Sequence, residues 1–254
     1  MVKNIVTLLL LFFCTLQAIE IKNISEAIDI AGKQRMYTQR LLKDYAMIGM
    51  HNNFSNPQKD LEQIMHNFED HLNSLDQFNK DAATKQKISD AKSQWQSLKK
   101  MLSKTPNITD ATTLQNELEK LLKTSDDITK LFAAQSKSST GEIINISGRQ
   151  RMLSQRMASL YMLKAWGIND PQFKQKLTDA MQLFKTSLEK LLAYEKNTPE
   201  ITSLLKKAKR DFMFFEIMGR SSKKFIPALI YKKSNEILKN MNSATKLYTK
   251  LETH

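Results

Sequence analysis

The sequence predicts an all-α protein: two tandem antiparallel four-helix bundles, related by internal duplication and paired as a pseudo-dimer through their first helices. Three observations carry this expectation. A nine-residue word occurs twice, GKQRMYTQR from Gly32 and GRQRMLSQR from Gly148, with six identical positions at a spacing of 116 residues. Apolar residues recur at helical spacing through most of the chain. Six Gly and five Pro in 254 residues leave long stretches without a breaker.

The repeat extends past the word. Leu61, Met65, Phe68, Leu72 and Leu75 have Leu177, Met181, Phe184, Leu188 and Leu191 at the same offset. Ala91 and Trp95 match Ala208 and Phe212 at an offset of 117, so a loop gained one residue. A period this long marks duplication of a whole domain. In the first copy, the first helix is expected from about Ile24 to Met50. The second opens at SNPQ, with Ser55 or Asn56 as cap and Pro57 in the first turn. The third carries Ile88, Ala91, Trp95, Leu98 and Leu102, and KTPNITDAT breaks the chain near Pro106. The fourth carries Leu114, Leu118, Leu121, Ile128 and Phe132.

In the second copy, INDPQ is expected to open the second helix with its proline in the first turn. NTPE opens the third with Thr198 as cap. GRSSKKFIP separates the third from the fourth, which carries Ile230, Ile237, Met241, Ala244 and Tyr248. Stripes one face wide with short connections specify antiparallel bundles. The expected division is 19–137 and 138–254, joined by the small polar segment SKSSTGE.

The chain opens with Lys3 and an apolar run from Ile5 to Phe13, too short to span a bilayer. Residues 1–18 read as a secretory signal peptide. Cleavage there removes Cys14, the only cysteine, which fits a periplasmic protein without disulfides. The net charge is +13, with 39 basic and 26 acidic side chains. No aromatic-plus-basic recognition motif accompanies it, so nucleic acid is not an expected partner, whereas small anions are.

On a helix, Gly32, Arg35, Met36 and Gln39 share one face, as do Gly148, Arg151, Met152 and Gln155. A glycine inside a helix costs about 1 kcal/mol relative to alanine. Its useful return is close approach of another backbone. If the two first helices cross at Gly32 and Gly148, Arg35 and Arg151 project toward one pseudo-twofold axis. Two facing guanidiniums repel unless an anion lies between them, and each offers a fork of donors suited to a planar oxyanion. For about four heavy atoms the binding ceiling is about 6 kcal/mol, a dissociation constant in the tens of micromolar. The packing reading stands beside this one. A helix glycine eases packing, an arginine beside an apolar stripe snorkels or pairs with a carboxylate, and Met36 and Met152 suit core filling. Arg40 and Arg156 lie off the shared face and are expected to form structural ion pairs.

AGKQRMYTQR and SGRQRMLSQR resemble the signature of the PilJ-type domain of type IV pili chemotaxis transducers. They are also similar to the sensor-domain motif of NarX-type nitrate/nitrite kinases. That resemblance implies nitrate or nitrite held on the axis by Arg35 and Arg151, with Gly32 and Gly148 beside it. The candidate ligand-binding set further includes Met36 and Met152, which share the arginine faces, and Asn145 and Asp29, which stand three residues before the glycines. The pattern favours Asn three residues before the glycine. Asn145 fits it, but the first copy has Asp29, whose charge opposes an anion unless a base such as Lys33 takes it up.

The expected function is a periplasmic sensory protein that binds a small oxyanion and relays it to a transmembrane chemoreceptor or kinase, with the pseudo-dimer formed inside one monomer. A helical adaptor that docks on a membrane complex without a ligand is the alternative. Nothing indicates an enzyme, a cofactor or a metal. Glu62 and His66 have the spacing of a metal pair, but a solvated surface accounts for them.

Overall fold

The computed structural model describes residues 19–136, 139–220 and 225–251. The expected signal peptide, the 137/138 boundary and residues 221–224 of the linker GRSSKKFIP lie outside them. Eight helices are described: α1 (Ile24–Gly49), α2 (Pro57–Phe78), α3 (Ala82–Leu102), α4 (Ile108–Gln135), α5 (Ser139–Ala165), α6 (Phe173–Leu192), α7 (Pro199–Arg220) and α8 (Pro227–Leu251). None is long and apolar enough to cross a membrane.

Short polar residues start the helices of the first copy by capping orphan backbone donors. The side chains of Asn23, Asn56, Asp81 and Asn107 accept from the amides of Glu26, Lys59, Thr84 and Asp110. In the second copy Thr198 Oγ1 accepts from the Ile201 amide. One expected start is displaced: Pro171 lies in a turn before α6, which begins at Phe173 after Gln172, a residue that makes no side-chain cap. Asp170 instead turns the chain locally, its carboxylate accepting from the Gln172 amide.

Within each copy, the first helix packs on the second and fourth, and the third packs on the second and fourth, which closes a four-helix bundle. The stacked pairs Phe68–Trp95 and Phe184–Phe212, with centroids 4.4 and 4.6 Å apart, fill equivalent places in the two cores. The most extensive helix pair of all is α1 with α5, which runs between the copies. The two helices are parallel: Gly32 meets Gly148 near their starts, and Gly49 meets Trp166 at their ends.

Candidate functional site

Each conserved position of the repeated word does a separate job in both copies. At the glycines the backbones come together: a methyl group on Gly32 would stand 3.9 Å from the Gly148 Cα and 3.0 Å from Arg151 Nη2. Gln34 and Gln150 donate through Nε2 to the carbonyls of Phe68 and Phe184, which fixes the second helix of each bundle to the first. Met36 and Met152 are buried in the apolar core. Arg40 pairs with Asp60, and Arg156 with Glu119, the latter at 2.7 Å.

Arg35 and Arg151 are 0% and 1% exposed. Their Nη2 atoms both lie within 3.4 Å of the point where a Gly32 Cβ would be, so the two guanidiniums converge on one place. Each reaches across to the other copy and also to the fourth helix of its own. Arg35 donates to the Asn145 carbonyl at 3.2 Å and to Asp126 Oδ1 at 2.7 Å. Arg151 donates to the Asp29 carbonyl at 3.1 Å, to Asp29 Oδ1 at 2.6 Å and to Asn242 Oδ1 at 3.2 Å. The geometry is pseudo-twofold, but the charge is not. At the position where the second copy has the amides Asn145 and Asn242, the first has the carboxylates Asp29 and Asp126.

This corrects one premise of the sequence argument. Repulsion between the guanidiniums does not require an outside anion, because two carboxylates of the first copy already balance it. Burial pushes both carboxyls up, but neighbouring cations outweigh it. Arg151 and Lys33 hold Asp29 below the usual carboxylate range, and Arg35 with Lys130 does the same for Asp126. Lys33 takes up Asp29 Oδ2 at 3.0 Å, one helical turn away, while Oδ1 faces Arg151. Burial lowers the Arg35 guanidinium to about 10, opposed by Asp126 and assisted by Arg149 and Arg151. Three polar atoms here are buried without a hydrogen-bond partner among the described residues: Nε of Arg35, Nε of Arg151 and Oδ1 of Asn145. A crevice of about 290 Å³ reaches Asp29 from the surface, edged by Lys33, Lys246 and Lys250 with Glu20 and Glu26.

One turn further along the axis lies a second polar layer that sequence reasoning missed. Gln39 donates to Glu119, and Ser159 donates to Gln39 across the interface. Lys43, fully buried, donates to Gln155 Oε1 at 2.7 Å and Asn235 Oδ1 at 2.8 Å, with its ammonium 3.9 Å from the centre of the Tyr231 ring. Burial lowers the Lys43 amine to about 8, and it lifts the adjacent, fully buried Asp44 well above the carboxylate range. Glu119 and Asn235 are again equivalent positions, the acid in the first copy and the amide in the second. The 116-residue offset, read along the fourth helices, contains this signal.

His66 is exposed and lies 3.1 Å from Asp70, and among the described residues no three potential ligands gather. No curated protein and no solved structure matches the chain. A family profile does match, that of the type IV pili methyl-accepting chemotaxis transducer N-terminal domain, PilJ, over residues 20–121 and 132–211. With both copies of the signature word on the pairing helices and most of its length matched, the chain belongs to the PilJ family.

Proposed function

We propose that the chain is a sensory module that binds a small planar oxyanion, nitrate or nitrite, between Arg35 and Arg151 and presents the change to a membrane chemoreceptor or kinase from the periplasm. The observation that carries the reading is the pair of buried, unpartnered Nε donors on two guanidiniums that converge on one axis. Buried donors are rarely left unbonded, and an oxyanion accepts from several such groups at once. The lysine-edged crevice ends at Asp29, the carboxylate bound to Arg151, so entry from that side requires Asp29 to turn away. The ligand enters in competition with Asp29 and Asp126, so affinity falls below the ceiling set by its size. Displacing a carboxylate from Arg151 to Lys33 loosens the contact between α1 and α5, and a slip of about 1–2 Å between packed helices is a sufficient signal.

The two carboxylates favour a second reading, in which they are permanent counterions and the chain is an adaptor with no ligand. Thermal unfolding separates the two. With 50 mM nitrate against 50 mM chloride, the sensor reading expects the midpoint to rise by about 2 °C. It expects the difference to vanish in Arg151→Lys, which keeps the charge but removes the fork. An equal midpoint in both salts favours the adaptor.

A further inference from the structure

The two copies are an internal control for each other, and α3 and α7 fail to match on their outer faces. Their buried faces agree position by position: Ile88, Ala91, Trp95 and Leu98 in α3 stand where α7 has Leu205, Ala208, Phe212 and Phe215. The solvent faces do not agree. Ser89, Asp90, Lys92 and Ser93 of α3 are replaced in α7 by Lys206, Lys207, Lys209 and Arg210. On the next two turns Gln96, Ser97 and Lys100 are replaced by Met213, Phe214 and Ile217. Met213 is 53% exposed and Ile217 62%. Phe225 and Ile226, also exposed, lie at the same end of the bundle where α8 begins. Tyr161 holds them there, its ring edge-on to Phe225 and its oxygen accepting from the Ile226 amide at 2.7 Å.

The fold needs neither feature: the first copy builds the same bundle with an outer face on α3 that exposes no large apolar side chain and whose Lys87, Lys92 and Lys99 are bound to Asp127, Asp76 and Glu69. Large apolar side chains in solvent are costly to keep without a use. Lys206, Lys207, Lys209 and Arg210 make no ion pair among the described residues, whereas Lys92 in the first copy is bound to Asp76 at 2.6 Å. Lysine is depleted from protein–protein interfaces. Protruding Phe, Ile and Met beside a run of lysines are instead the composition of an interfacial membrane helix. The overall charge of +13 adds long-range attraction to an anionic surface.

We infer that the outer face of α7, with Phe225 and Ile226, binds the surface of an anionic lipid bilayer. Lys206, Lys207, Lys209 and Arg210 engage headgroups, and Met213, Phe214 and Ile217 enter the boundary with the acyl chains. This does not depend on the oxyanion reading and leaves the two-arginine axis untouched. The probe is co-sedimentation of the full chain with vesicles of 30% phosphatidylglycerol in phosphatidylethanolamine, compared with pure phosphatidylcholine. Binding is expected to the first only and to weaken at least tenfold at high salt, as screening shortens the range of the charges.

Grafting the first copy's polar residues onto α7 (Met213→Gln, Phe214→Ser, Ile217→Lys) should lower vesicle binding about tenfold or more, with unchanged circular dichroism. A charge graft (Lys206→Ser, Lys207→Asp, Arg210→Ser) should do the same and remove the salt dependence. The reciprocal control, Gln96→Ala with Ser97→Ala, should bind as the parent does. Absence of binding to the anionic vesicles, or equal binding by the grafted chains, overturns the inference. So does sedimentation showing that the apolar face instead joins two copies of the chain or that binding requires a protein partner.

Discussion

Asp29 and Asn145 occupy one position in two copies of the same helix, and that single difference decides how the axis is charged. The backbone carbonyls of both accept from the opposite arginine, so the residue's place is kept while its side chain changes role. Close by, His71 is buried against the Tyr37 ring, 5.4 Å between centroids, and burial with Lys33 lowers its imidazole to about 4. Its folded pKa lies below the ordinary value of 6.5, so between pH 4 and 6.5 the unfolded chain holds more protons and stability rises with pH. Acidification from pH 6.5 to 4.5 should therefore cost about 2 kcal/mol through this residue. Denaturant titrations at the two pH values should show a smaller loss for His71→Gln, and an unchanged loss would mean that other groups carry it.

At the scale of the helix, the pairing of α1 with α5 is set by small residues at both ends. The glycines of the repeated word were legible in the sequence as a place of close approach. Gly49 was not, because its partner position in α5 is Ala165 and no repetition drew notice to it. A methyl group on Gly49 would fall 2.1 Å from the Trp166 indole. Gly49→Ala should destabilise the chain by about 1–3 kcal/mol despite the better helix propensity of alanine, with the loss read in thermal unfolding. Trp166→Ala in the same background should remove most of that difference.

Helix identities and buried stripes were readable because burial imposes a period near 3.6, which apolar side chains record directly. The start of α6 was misread because Pro171 serves a turn rather than a first helical turn. The polar layers were only half readable. Arg35 and Arg151 stood out by repetition, but Asp126, Asn242, Glu119 and Asn235 lie on helices remote in sequence. Nothing local tells a carboxylate turned toward the axis from a solvated one.

For the whole molecule, duplication within one chain permits what a symmetric pair of identical chains does not. Three equivalent positions along the axis carry Asp29, Glu119 and Asp126 in the first copy, and Asn145, Asn235 and Asn242 in the second. In a homodimer each would be acidic on both sides or neutral on both. Here the first copy supplies the negative charge, and Arg35, Arg151 and Arg156 receive it. The outer faces have diverged as well, with exposed apolar side chains on α7 where α3 is polar and three of its lysines are ion-paired. The copies thus share a core and differ along the two-arginine axis and on the outer face of the third helix. On the proposed oxyanion reading, Asp29 and Asp126 stand in the place of the anion and tune its affinity downward.

Isothermal calorimetry of the full chain and of the double variant Asp29→Asn, Asp126→Asn against nitrate tests this most directly. Without ligand the variant should be less stable by about 3 kcal/mol or more, because two buried guanidiniums lose their counterions. It should bind nitrate at least about tenfold more tightly than the parent, since each charge-assisted bond is worth about 1.5–3 kcal/mol, and nitrate should restore its stability. If nitrate produces no binding heat with the variant and leaves it as unstable as before, the two arginines are not an oxyanion site.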